Sequence, residues 1–198
     1  MRGAVLLHGR GGSGADMQGL AALLGLERAS LAAPEAPGRS WWPTSFLAPM
    51  AAMQAPLDAA LSAVEAAVQE LGRPRGEIAL VGFSQGGCLA LEYAARRGAG
   101  LGGVVAFSAG LIGTSDAGEA DPALNGHAGK VFDYATDLSG VPVLLTCHER
   151  DPHIPLKRVH DSAAVLEAMG GGVDLLVHPG PGHQPMPDGI AAARRLLT

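Results

Sequence analysis

Cysteine, charge and long apolar runs are all scarce in this chain, and each scarcity excludes a class. Only two cysteines, Cys88 and Cys147, occur in 198 residues, both in apolar surroundings. They read as buried, reduced thiols of a cytoplasmic protein and not as a disulfide framework. Charged residues make up 17% of the chain against 47% hydrophobic, which excludes a disordered or linker-like chain. Lys and Arg form no runs and the formal net charge is -5, so the concentrated basic face that nucleic-acid binding needs is missing. Stretches such as Ile78-Ala79-Leu80-Val81 are far too short for an integral membrane segment. The N-terminal run Gly3–Leu7 meets His8-Gly9-Arg10 before the apolar core or cleavage site of a signal peptide forms. The length suits one domain over residues 1–198, with a core large enough to need no staple.

Glycine, by contrast, is plentiful: 29 residues, roughly twice average usage, without a triplet period, which signals many tight turns. A rhythm of apolar run, Gly-rich turn and helical pattern repeats along the chain. Gly3–Leu7, Ala29–Ala33, Glu77–Phe83, Gly103–Phe107, Val141–Cys147 and Val173–His178 read as strands. Asp16–Leu24, Met50–Leu71, Gln85–Arg97, Leu156–Met169 and Asp188–Leu197 read as helices. Strands that are apolar throughout and separated by helices imply a mainly parallel sheet of about six strands, flanked by helices on both faces. One connection breaks the rhythm. Between Leu111 and Gly140 the chain is rich in Gly, Ala and Asp, with a weak helical pattern over Lys130–Thr136. A loop this long reads as a flap over the C-terminal edge of the sheet, or as a plain surface excursion.

The sharpest motif is Gly82-Phe83-Ser84-Gln85-Gly86, which matches G-x-S-x-G. So short a pattern arises by chance in a glycine-rich chain, and alone it is only a tight turn. Here it follows an apolar strand and opens a helix, the context of a nucleophile elbow. Serine needs a base to take its proton and an acid to orient that base. The chain order Ser…Asp…His places both partners downstream, after later strands. His183 sits on a loop past the last strand, whereas His178 belongs to that strand, His160 to a helix and His127 to the irregular segment. Asp151 follows the strand Val141–Cys147, whereas Asp133, Asp137 and Asp174 lie at the wrong ends of strands. Ser84, Asp151 and His183 are therefore the candidate triad, against ordinary loop polarity as the bland alternative.

Acyl transfer also needs donors for an oxyanion. The backbone N–H of Gln85 is one candidate, and that of Arg10, in His8-Gly9-Arg10-Gly11-Gly12, is the other, with its side chain playing no part in that bond. The spacing of these glycines fits neither a dinucleotide fingerprint nor a P-loop. His148, His153 and His160 lie close in sequence to Glu149 and Asp151, but match no zinc-hydrolase spacing, and Pro152 and Pro155 break the helix that one would need, so no metal is expected. Cys88, one helical turn after Ser84, is expected to pack into the sheet or a neighbouring helix.

Together, His8-Gly9-Arg10-Gly11-Gly12, Gly82-Phe83-Ser84-Gln85-Gly86-Gly87, Asp151-Pro152-His153-Ile154-Pro155 and Gly180-Pro181-Gly182-His183 resemble the phospholipase/carboxylesterase family of α/β-hydrolases, which includes acyl-protein thioesterases. The resemblance spans almost the whole chain. It implies a minimal α/β-hydrolase without a cap domain, no cofactor, a small ester or thioester substrate, the triad Ser84, Asp151 and His183, and the N–H donors Arg10 and Gln85. Gly11-Gly12 stands where the thioesterases carry Gly-Asp, and His148-Glu149 where they carry His-Gly, which counts against acyl-protein thioesterase specificity. The one or two leading antiparallel strands of the larger fold are also expected to be absent. Trp41, Trp42 and Phe46 are candidate pocket walls, or simple loop packing, and Leu111, Ile112 and Ile154 complete the candidate substrate pocket.

Overall fold

Strands covered on both faces have nowhere to place a polar side chain, and the central strands obey that rule along their whole length. In the computed structural model, which describes all of residues 1–198, eight strands form. They are β1 (Gly3–Leu7), β2 (Ser30–Ala32), β3 (Ile78–Phe83), β4 (Gly103–Phe107), β5 (Ala120–Asp121), β6 (His127–Ala128), β7 (Pro142–Arg150) and β8 (Gly172–Pro181). Six of them make one parallel sheet in the order β2-β1-β3-β4-β7-β8, and β5 and β6 pair as a small separate hairpin. The helices are α1 (Gly14–Leu23), α2 (Met50–Glu70), α3 (Gln85–Arg97), α4 (Leu156–Ala168) and α5 (Pro187–Leu197). No separate cap domain is present.

The two-residue period of the strands sorts the core into two layers. Val5, Leu7, Leu80, Val104, Ala106, Val143 and Leu145 face α2, α3 and α4. Ala4, Leu6, Ala79, Val81, Val105, Phe107 and Leu144 face α1 and α5. Each fully buried Val, Leu or Phe contributes about 1.5–3 kcal/mol, so this shared central sheet is what holds its C-terminal edge rigid. The turns that leave β1, β3, β7 and β8 at that edge carry the candidate site. No helix is long and apolar enough to cross a membrane.

The segment between Leu111 and Gly140 is not a flap. Leu111 and Ile112 are fully buried. The Arg158 guanidinium of α4 donates to the carbonyls of Leu111 and Gly113, at 2.9 and 2.6 Å. The buried Glu92 carboxylate of α3 accepts from the Ile112 N–H at 3.0 Å, from the Tyr134 hydroxyl at 2.8 Å and from Arg96 Nε at 2.7 Å. Lys130 Nζ stands 3.6 Å from the same carboxylate. These bonds hold the segment against α3 and α4, away from the site. Nor does Lys130–Thr136 form a helix: Lys130, Phe132 and Tyr134 turn inward while Val131, Asp133 and Ala135 are exposed, the period of an extended chain.

Candidate active site

Ser84 occupies the single residue between β3 and α3, with φ 54 and ψ −120. That left-handed backbone costs a β-carbon residue about 1–3 kcal/mol, and it persists only where neighbours enforce it. They do so here. The Ser84 N–H donates to the Phe107 carbonyl and the Ser84 carbonyl accepts from the Cys88 N–H, both at 2.9 Å. A Cβ at Gly82 would strike the Gly86 carbonyl, and one at Gly86 would strike the Leu7 carbonyl. Both flanking positions of the motif are thus closed to side chains, and the turn presents Ser84 Oγ outward.

Ser84 Oγ lies 2.8 Å from His183 Nε2. His183 Nδ1 lies 2.8 and 2.9 Å from the two carboxylate oxygens of Asp151, whose side chain is fully buried. Asp151 Oδ1 also accepts from the N–H groups of His153 at 2.8 Å and Ile154 at 3.0 Å, and Oδ2 takes a weak bond from the Cys147 thiol at 3.7 Å. Burial pushes the Asp151 carboxyl upward, but His183 and the two backbone donors outweigh it and hold the group below the usual carboxylate range. An ionised Asp151 draws the imidazole proton to Nδ1, leaving Nε2 free to accept the serine proton. The three residues singled out in the sequence come together in that order.

The other strand-end turn is the Gly-rich one after β1. Gly11, at φ 77, donates to the Arg39 carbonyl at 2.7 Å, and Gly12 donates to the Gly9 carbonyl at 3.0 Å. Gly9 passes so close that a Cβ there would press on Phe83 and Ser84. Arg10 therefore borders the serine. Gln85 is the first residue of α3, where N–H groups have no partner within the helix.

A cavity of about 550 Å³ opens at this point, walled by Trp42, Pro43, Thr44, Ser45 and Phe46 on one side and His153 and Ile154 on another, with Phe83, Ser84 and Cys88 also lining it. Trp42, Phe46 and Ile154 line it as expected. Trp41, Leu111 and Ile112 do not. The Trp41 indole donates to the His8 carbonyl at 2.9 Å and packs on the His8 ring, which locks it beneath the wall. Leu111 and Ile112 are consumed by the core. Cys88 packs fully buried in the core, as expected, and in addition borders the cavity from below. Burial pushes its thiol up to about 12, so it is no nucleophile there. The histidines considered for a metal do not converge: His153 packs edge-on against His183, His148 faces His178, and His160 is exposed on α4.

Two features of this site went unread in the sequence. The Gln85 side chain accepts from the Trp41 N–H at 3.0 Å and donates to the Trp42 carbonyl at 2.9 Å, while the Arg10 guanidinium donates to the carbonyls of Pro43 at 3.1 Å and Thr44 at 2.5 Å. Both side chains thus clamp the aromatic wall to the turns that carry their own N–H groups. The second feature is the seat of the His183 loop: Gly182 lies on the buried His148 ring so closely that a Cβ would collide with it. Neither pairing leaves a signal in local sequence, because the partners are tens of residues apart.

Comparison with known proteins agrees with this architecture. The phospholipase/carboxylesterase family model matches residues 3–198. A solved phospholipase/carboxylesterase from Dyadobacter fermentans is 37% identical, with a TM-score of 0.88, over 100% of this chain and 90% of that one. Esterase PE8 is 25% identical with a TM-score of 0.74, over 98% and 90% of the two chains. The carboxylesterase of Bacillus cereus, at 17% identity and a TM-score of 0.74 over 98% and 86%, shares the fold. No curated protein sequence matches the chain. A family match over nearly every residue, with the same parallel sheet in a relative 37% identical, places the chain in the phospholipase/carboxylesterase family of α/β-hydrolases.

Proposed function

We propose that this serine hydrolase is a carboxylesterase that cleaves short- to medium-chain carboxylic esters through an acyl-enzyme on Ser84, with Asp151 and His183 completing the triad. The observation that supports it is the unbroken relay from Ser84 Oγ through His183 to Asp151 at the mouth of a cavity. Ser84 Oγ attacks the ester carbonyl carbon while His183 Nε2 takes its proton. The oxyanion then accepts from the Arg10 and Gln85 N–H groups, and Asp151 stabilises the imidazolium. Collapse breaks the bond to the alcohol oxygen, which leaves with the proton from His183. Water repeats the cycle: His183 deprotonates it, the hydroxide attacks the acyl-serine, and the carboxylic acid departs as Ser84 regains its proton. No cofactor takes part in this scheme, which needs only the one domain read over residues 1–198, in the cytoplasm.

The wall favours short acyl chains. Each buried methylene contributes about 0.8 kcal/mol, so affinity climbs with chain length until the acyl group meets Trp42 and Phe46. Activity on nitrophenyl esters from acetate to palmitate, below their micelle concentrations, should peak at or below roughly eight carbons. A continued rise past about twelve carbons would replace this reading with a lysophospholipase-like one. A fluorophosphonate should label Ser84, and absence of that adduct would sink the enzyme mechanism itself.

A further inference from the structure

The cavity beside Ser84 carries an uncompensated positive charge on an otherwise acidic chain. Its lining includes the Arg10 guanidinium and no carboxylate, whereas the whole protein has a formal charge of -5. The acidic groups on the neighbouring segments lie outside that lining and hold donors of their own. Asp151 is fully buried behind His183. Asp16 accepts from the Ser13 N–H and hydroxyl, both at 2.8 Å, and Glu35 accepts from the Gly14 N–H at 3.0 Å, so both serve the start of α1. The Arg10 guanidinium is exposed and held in place by the Pro43 and Thr44 carbonyls, two residues that themselves line the cavity. A guanidinium has five N–H donors, and these two bonds leave the rest available. Carbonyls fix its position without neutralising its charge.

We infer that Arg10 is a specificity residue that receives a free carboxylate on the substrate, so that the preferred esters carry a second, ionised carboxyl group several bonds from the scissile carbonyl. This rests on the esterase reading above. The backbone of Arg10 borders the serine while its side chain reaches the opposite wall, so one residue measures the distance between the reacting carbonyl and the anion. A planar fork held at a fixed angle suits a carboxylate, which accepts two parallel N–H bonds. The low-dielectric walls of Trp42, Phe46 and Phe83 strengthen that attraction over its value in open water.

The test compares the monomethyl esters of succinic, glutaric and adipic acids with the matching methyl ester monoamides, in which –CONH₂ replaces the carboxylate at equal size. The wild-type ratio of kcat/KM, acid over amide, should reach about tenfold for at least one chain length at low salt, equivalent to about 1.4 kcal/mol. It should shrink as sodium chloride rises, while rates on the amides hold steady. Arg10→Gln should bring the ratio close to one, and Arg10→Lys should keep part of it by retaining the charge. Because Arg10 also clamps the wall, absolute rates will fall in both variants, and the ratio is the readout that a merely structural role would leave unchanged. Acetate esters of hydroxy acids and of their amides report whether the anion is read from the alcohol side instead. A wild type that turns over the neutral esters without preferring any acid overturns the assignment and leaves the esterase standing. An Arg10→Gln variant that loses acid and amide substrates alike also overturns it. Failure to cleave any ester, with no fluorophosphonate adduct on Ser84, removes the esterase reading itself.

Discussion

Ser84, His183 and Asp151 are coupled so tightly that removing one should disable the others' work. Ser84→Ala and His183→Ala should each lower kcat/KM on the order of 10⁴-fold or more, measured on a short-chain nitrophenyl ester. Asp151→Asn keeps the shape but loses the charge that orders the imidazole, and near-normal turnover in it would mean the acid is misassigned. Asp151 also ties the site to stability. Its folded-state carboxyl is held below the ordinary value, so its contribution is complete above the usual carboxylate range and is lost as the pH falls through the depressed value. Urea midpoints between pH 5 and 3 should therefore fall less steeply in Asp151→Asn than in the wild type. These three residues were legible because strand ends and chain order leave one candidate of each kind. The packing role of Cys88 was legible in its place one helical turn after Ser84; its contact with the cavity was not, because it depends on the helical bond from its N–H to the Ser84 carbonyl, which sets it directly beneath the serine. Trp41 was not, since nothing in the pair Trp41-Trp42 says which indole the His8 carbonyl will capture.

At the scale of elements, the turn into α3 and the strip from Ala36 to Phe46 decide the chemistry. The first is rigid by exclusion. Gly86→Ala would drive a methyl into the Leu7 carbonyl of β1, a backbone atom that cannot step aside. Overpacking of that kind costs about 1–3 kcal/mol and more where backbone must move, so the variant should melt well below the wild type or fail to fold. The strip is held by Gln85, Arg10 and the Trp41 indole, and its Trp42–Phe46 end lines the cavity. Trp42→Ala should move the optimum of the nitrophenyl ester series to longer chains, and an unmoved optimum would mean another residue closes the pocket. The element boundaries show where sequence pattern carries information. The strand β4 and the helix α3 end where their apolar and helical patterns end. By contrast, β7 runs on through His148, Glu149 and Arg150, pairing with β8 across a bulge, and these polar residues bear no strand signature. The alternation of Lys130, Phe132 and Tyr134 was present in the sequence, but three inward residues in a polar loop look equally like a broken helix turn.

Across the whole molecule, the parallel sheet was legible because period and apolarity are properties of the chain itself, while the buried polar network that docks the Leu111–Gly140 segment depends on folding already being complete. Lys130 and Tyr134 of that network, together with the two buried thiols, make stability depend on alkaline pH in two opposing ways. Burial lowers the Lys130 ammonium to about 8, with Glu92 opposing the shift. An unfolded lysine titrates near 10.4, so between these values the unfolded chain binds the extra proton and stability rises with pH. Cys88 is raised by burial to about 12 from 9.0, and burial raises the Cys147 thiol and the Tyr134 hydroxyl as well. For these three the sign reverses. Their contribution is complete below the unfolded values and is lost as the pH climbs toward the folded ones. Lysine alone acts strongly between pH 8 and 9, where it offsets the first losses from the thiols. Above about 9 the three raised groups outweigh it, and Cys88 alone removes about 2 kcal/mol between pH 9 and 10.5 at roughly 1.36 kcal/mol per unit. Urea midpoints should accordingly stay level or rise slightly from pH 8 to 9, then drop steeply by pH 10.5. Lys130→Met should abolish the early plateau, and Cys88→Ala should flatten part of the later fall whatever its effect on stability at neutral pH. Midpoints that remain constant from pH 9 to 10.5 would mean that these groups reach water in the folded protein.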